Sequence, residues 1–152
     1  MTATHHSGST LPPLSRDRIE QSLDRLEFSH FIDDDGDVAG EWDLGFFYFL
    51  VRGEFSEIFI MQGVWRGALA ESDYLMTQEI CNAWNEQKLW PTAYVNRDDN
   101  GNVWLRVEHA VDYEHGLTDA QLDQHIIGAL MGSLQLFEQA ADAFPEVWER
   151  VR

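Results

Sequence analysis

Residues 45–51, "GFFYFLV", form an apolar run that does not alternate with polar residues. A strand with one solvated face alternates, so a continuous run of β-prone residues wants apolar cover on both faces, as in an interior strand. The flanking sequence supports a sheet. "EWDLGFFYFLV" and "FSEIFIMQGVW" read as two long strands separated by "RGEF", and a looser alternation in "FSHFI" precedes them. The expectation is a three-stranded antiparallel meander.

Helical spacing brackets this meander. Ser15 can cap a short helix whose stripe is Ile19, Leu23 and Leu26. Between Ser72 and Gln87 the period is again helical, with Met76, Ile80, Ala83 and Trp84 on one face and Glu79, Asn82 and Glu86 facing away. Pro91 closes that helix. "TAYV" and "VWLRVEHAV" form a hairpin, and Thr118 with Gln121 makes a capping box for a third helix striped by Leu122, Ile126, Leu130, Leu134 and Phe137. The closing "FPEVWERVR" is expected to pack back on the core. The reading is an α+β fold: helix, three-stranded meander, helix, two-stranded hairpin, helix. Residues 1–13, small and polar with His5 and His6, read as a flexible tail without the apolar run of a signal peptide, and residues 14–152 as a single domain.

Two acidic turns fix the register. An EF-hand loop needs oxygen ligands at positions 1, 3 and 5, glycine at 6 and a carboxylate at 12. Placing Gly36 at position 6 puts Phe31 first and Trp42 twelfth, and starting at Asp33 puts Val38 where glycine belongs; both registers fail, which leaves at most a weak surface cation site. The second turn, "RDDNGNV", has the same form. A three-residue loop of Asp99, Asn100 and Gly101 sets Val95 opposite Leu105 and Ala93 opposite Val107, one apolar face. The same loop at Asp34, Asp35 and Gly36 sets Ile32 opposite Val38 and Phe28 opposite Trp42.

The formal charge of −17 repels nucleic acid and anionic membranes, and no basic cluster offsets it. Lys88 is the only lysine, a bias that suits either a high-GC genome or a salt-adapted proteome. The single cysteine, Cys81, reads as a buried helix residue, and a reducing cytoplasm is the simplest compartment. No phosphate-binding glycine loop, nucleophile elbow or paired-cysteine motif occurs, so no cofactor is expected. Glu108, His109, Asp112 and His115 cluster near the end of the last strand and are the candidates for an enzyme or a metal-dependent binding protein. His125 lies apart in the third helix, and no metal-ligand spacing links these histidines.

"DDDGDVAGEWD" (33–43), "NAWNEQKLWPTAYV" (82–95) and "DDNGNVWLRVEHAVDYEHGLTDAQL" (98–122), in this order, resemble the YbjN family of bacterial sensory transduction regulators, over roughly residues 15–145. The resemblance implies the fold of class I type III secretion chaperones, commonly homodimeric, and brings no catalytic residues. It implies a non-enzymatic interaction module that binds itself and a partner protein. With helix two and the following strand at the two-fold axis, Trp84, Leu89, Trp90 and Tyr94 become the expected partner or dimer interface. The strand aromatics Trp42, Phe47, Phe49, Phe59, Trp65 and Trp104 exceed what one helix-covered face absorbs, so some are expected to be exposed in a monomer.

Overall fold

The computed structural model describes residues 11–152. The chain runs α1 (Arg16–Arg25), β1 (Phe31–Ile32), β2 (Val38–Trp42), β3 (Gly45–Arg52), β4 (Ile58–Trp65), a 3-10 turn (Glu71–Asp73), α2 (Tyr74–Gln87), β5 (Thr92–Arg97), β6 (Val103–Asp112), α3 (Asp119–Ala143) and α4 (Pro145–Val151). All strands pair antiparallel in one sheet of order β1-β2-β3-β4-β6-β5. The α+β class stands, but the meander has four strands rather than three. "EWDLGFFYFLV" is not one strand: Trp42 pairs with Gly45, and Asp43-Leu44 turns the chain between β2 and β3. Gly45 permits the tight return, because a Cβ there would lie 2.2 Å from the Val64 carbonyl oxygen.

The helices cover one face. Phe47, Phe49, Phe59, Met61, Trp65, Leu105 and Val107 point toward them and are fully buried with Ile19, Leu23, Leu122, Ile126, Leu130 and Phe137. Leu134, the remaining member of the α3 stripe, is partly buried against the same core. Both expected helix starts form: Ser15 accepts from the Arg18 amide at 3.1 Å, and Thr118 and Gln121 satisfy each other's backbone amides. The C-terminal segment packs back as α4, whose Trp148 stacks on Trp65 with ring centroids 6.3 Å apart.

That extra cover corrects the expectation for the strand aromatics. Five of the six named rings lie on the helix side, and only Trp104 lies on the other face, half-buried. The "GFFYFLV" run is covered by helices on one face only; on the other, Leu50 is buried, Phe46 is half-buried and Tyr48 is exposed.

The acidic turns are twins. Asp33 and Asp98 each accept two backbone amides, from Asp35 and Asp37 and from Asn100 and Asn102, all at 2.9 Å. Gly36 and Gly101 both take φ of +83°. Ile32 pairs with Val38, Val95 with Leu105 and Ala93 with Val107, the register set by the three-residue loops. Trp104 adds its indole N–H to Asp98 at 2.9 Å, and these donors hold the Asp98 carboxyl down to about 2. Gly101→Ala is expected to cost about 1 kcal/mol through backbone strain alone, since nothing lies within 4 Å of the added methyl. Urea denaturation checks this, and an unchanged midpoint would contradict the loop geometry.

Of the tail expected over residues 1–13, the first ten, with His5 and His6, lie outside the described residues. The last three are held to the body: the Pro12 carbonyl accepts from Leu117 N and Arg18 Nη1 at 3.0 and 2.8 Å.

Candidate interaction surfaces

Helix α2 carries more apolar surface than the sheet covers. Its buried residues are Thr77, Cys81 and Trp84, so the inward face is turned from the expected Met76–Ile80–Ala83–Trp84 stripe. Thr77 can be buried because its hydroxyl donates to the Asp73 carbonyl at 2.8 Å. Burial pushes the Cys81 thiol up to about 12, which removes it as a nucleophile near neutral pH. Met76 is half exposed, Leu75 and Ala83 are exposed and Ile80 is only partly covered. This uncovered apolar strip leads to Leu89, which is 87% exposed.

The four residues expected at the interface separate into different positions. Trp84 lies beneath the surface, its indole N–H donated to the Pro91 carbonyl at 2.9 Å, and can act only as a floor. Leu89 is outermost. Trp90 is half-buried, packed on His109 and His125 at centroid distances of 4.5 and 4.9 Å. Tyr94 pairs with Arg106 and points to the opposite face of the sheet. Beside this corner, Asn85 closes the sheet edge, its amide giving and accepting 2.9 Å hydrogen bonds with the Ala93 backbone.

Glu108, His109, Asp112 and His115 do not converge. Glu108 lies on the open face and accepts from Gln62 at 3.0 Å, whereas His109 lies on the helix side and is buried. Asp112 caps the Glu114 amide at 3.0 Å, and His115 is in solvent beside Glu114. His115 also lines a groove of about 650 Å³ with Phe55, Tyr113 and Leu11, which includes none of the other three. Among the described residues no group of three or more His, Cys, Asp or Glu side chains is arranged to hold a metal ion.

The residues that do converge were not grouped by the sequence. His109 from β6, His125 from α3 and Trp90 from the turn between α2 and β5 pack together, and the Tyr113 hydroxyl meets His125 Nδ1 at 2.7 Å. Among the described residues, the buried Nε2 of His109 has no hydrogen-bond partner. Burial lowers both histidine pKa values, and for His109 the neighbouring His125 adds to the shift. The unfolded chain therefore takes up these protons first as pH falls through about 6.5. Stability is full above that pH and is lost progressively below it, down to the lowered folded values. His109→Phe should flatten the fall in the thermal midpoint between about pH 6.5 and 5, above the range of the carboxylates. An unchanged profile would show that the pair does not titrate as packed.

No helix of the described residues is long and apolar enough to cross a membrane. No curated protein matches the sequence. Among solved structures, YbjN from E. coli, described as a putative transcription regulator, superposes with a TM-score of 0.74 over 90% of this chain and 97% of that one, at 17% identity. The HopA1–SchA chaperone–effector complex provides a second likeness, with a TM-score of 0.50 over 83% of this chain and 99% of that one, at 13% identity. At those identities the likeness is one of fold. The model of the family "YbjN: Putative bacterial sensory transduction regulator" matches residues 15–144, and by that match the chain belongs to the YbjN family.

Proposed function

We propose that this chain is a non-enzymatic protein-interaction module, a regulatory adaptor or chaperone-like protein that works as a homodimer and binds a second protein in the cytoplasm. The carrying observation is the uncovered strip of Leu75, Met76, Ile80 and Ala83 that runs into Leu89. Apolar area of this kind on a strongly acidic surface is costly unless something covers it. Leu89 and Trp90 form its contact end, Trp84 supports them from below, and Tyr94 reaches the same edge from the other face. The chaperone–effector neighbour supports a polypeptide as the partner. Lone, buried Cys81 supports a reducing compartment.

The test is a paired recovery experiment from the native cell using the wild type and the double variant Met76→Asp with Leu89→Asp. Partners held by this strip should be depleted at least tenfold on the variant while its own assembly mass is unchanged. Equal recovery would refute the assignment. Because like charges oppose self-association at −17, the dimer should also tighten between low and moderate salt, as read by light scattering.

A further inference from the structure

Strand β3 is apolar on both sides, and the helices cover one. On the open face, paired residues make two adjacent rows: Phe46, Val64, Arg106 and Tyr94 in one, and Tyr48, Gln62, Glu108 and Thr92 in the next. Half-buried Ile58 and Ile60 extend the apolar area along the strands beside buried Leu50, and Phe31 borders it at 53% exposure. The face also carries little of the chain's formal charge of −17: Arg52, Arg66 and Arg106 stand against Glu41, Glu108 and Asp112, and two further carboxylates that reach it are already held, Asp37 by Arg52 and Asp98 by the Trp104 indole. It is therefore a surface on which an acidic chain can meet another without strong repulsion.

Arg106 and Glu108 stand side by side at the centre. Among the described residues neither makes an ion pair, whereas Arg18, Arg25, Arg52, Arg66 and Arg97 all do. Each is held instead by a neutral amide: Arg106 Nε–H donates to Asn96 Oδ1 at 2.7 Å, and Glu108 accepts from Gln62. An acidic ligand would satisfy Arg106 and repel Glu108, and a basic ligand would do the reverse. A surface bearing both charges, at the same spacing and in reversed order, satisfies both.

We propose that the open sheet face is covered by a second copy of this chain, the two sheets stacked face to face about a two-fold axis that lies between them and crosses β6 at Val107. Rotation about that axis reverses strand direction. It sets Arg106 of each copy over Glu108 of the other and brings the Phe46 row over the Tyr48 row, so aromatic residues meet as well. A two-fold contact must be self-complementary in this way, and facing sheets pack about 10 Å apart with strands within about 30° of one another. The inference rests on the homodimer reading and gives it a surface, leaving the α2 strip to the partner protein.

The test is sedimentation equilibrium of the full chain, wild type against Arg106→Glu, Glu108→Arg and the double exchange, with circular dichroism to confirm folding. Each single reversal should weaken the dimer at least tenfold, and the exchange should restore it to within about threefold, because the symmetric pair is rebuilt. Should a reversal fail to fold, Arg106→Gln and Glu108→Gln retain an amide hydrogen bond and should each weaken the dimer threefold or more. A dimer indifferent to these changes, or one lost with Met76→Asp and Leu89→Asp, overturns the sheet-face contact but keeps the homodimer. A monomeric wild type overturns both.

Discussion

Trp84→Ala is expected to lower the free energy of unfolding by about 3–5 kcal/mol, the range for deleting a large buried aromatic ring. The side chain is 3% exposed and shares the inward face of α2 with Thr77 and Cys81, beneath the turn that leads into β5. Truncation opens a cavity and removes the indole N–H from the buried Pro91 carbonyl, a bond of 2.9 Å. It also removes the ring beneath Lys88, whose Nζ lies 5.8 Å from its centroid. Trp84→Phe separates these contributions: it keeps an aromatic body and loses the hydrogen bond, and should cost about 1–3 kcal/mol. Urea titrations with an unchanged slope would read both values. A loss under 1 kcal/mol for the alanine variant would mean that this ring is an interface residue rather than part of the core.

Gly63→Ala should cost about 3 kcal/mol, the upper end for adding a methyl group to a packed core. The new Cβ would stand 2.5 Å from the Phe47 ring and 2.8 Å from Val107 Cγ2, both fully buried side chains. The ring has little room to yield, because Trp42 and Phe137 pack against it at centroid distances of 5.3 and 5.7 Å. Gly101→Ala provides the contrast, with strain but no collision. A Gly63→Ala loss no larger than that at Gly101 would show that the β4–β3–β6 centre is looser than its packing indicates.

The features legible in the sequence are those in which neighbouring residues fix the outcome. The twin acidic turns and their registers follow from where glycine can take positive φ and which pairing keeps apolar residues together. The caps at Ser15 and Thr118 follow from hydroxyls placed three residues before an amide that needs an acceptor. The β2–β3 turn is hidden because Asp43 is its only turn-favouring residue, set between apolar Trp42 and Leu44, and Gly45, which permits it, reads as the start of a strand. The inward face of α2 is not legible because its apolar residues fill two adjacent stripes, and only the tertiary contacts decide which one is buried. The histidine–tryptophan cluster draws on residues 90, 109, 113 and 125, and no local spacing unites them. The open sheet face was obscured for a related reason. A strand apolar on both sides announces that both will be covered, without saying whether its own chain supplies the cover.

The amide of Asn85 has a consequence for how copies of this chain can accumulate. By occupying both outward backbone groups of Ala93, it blocks that rung of β5 as a template for another strand. The opposite border, β1, is only two residues long. Lateral recruitment of strands, the route by which sheets polymerise without limit, has little to grip at either border. An assembly built instead from a self-complementary two-fold contact between sheet faces closes at two copies, so a rise in cellular concentration would add more of the same particle instead of lengthening a fibre.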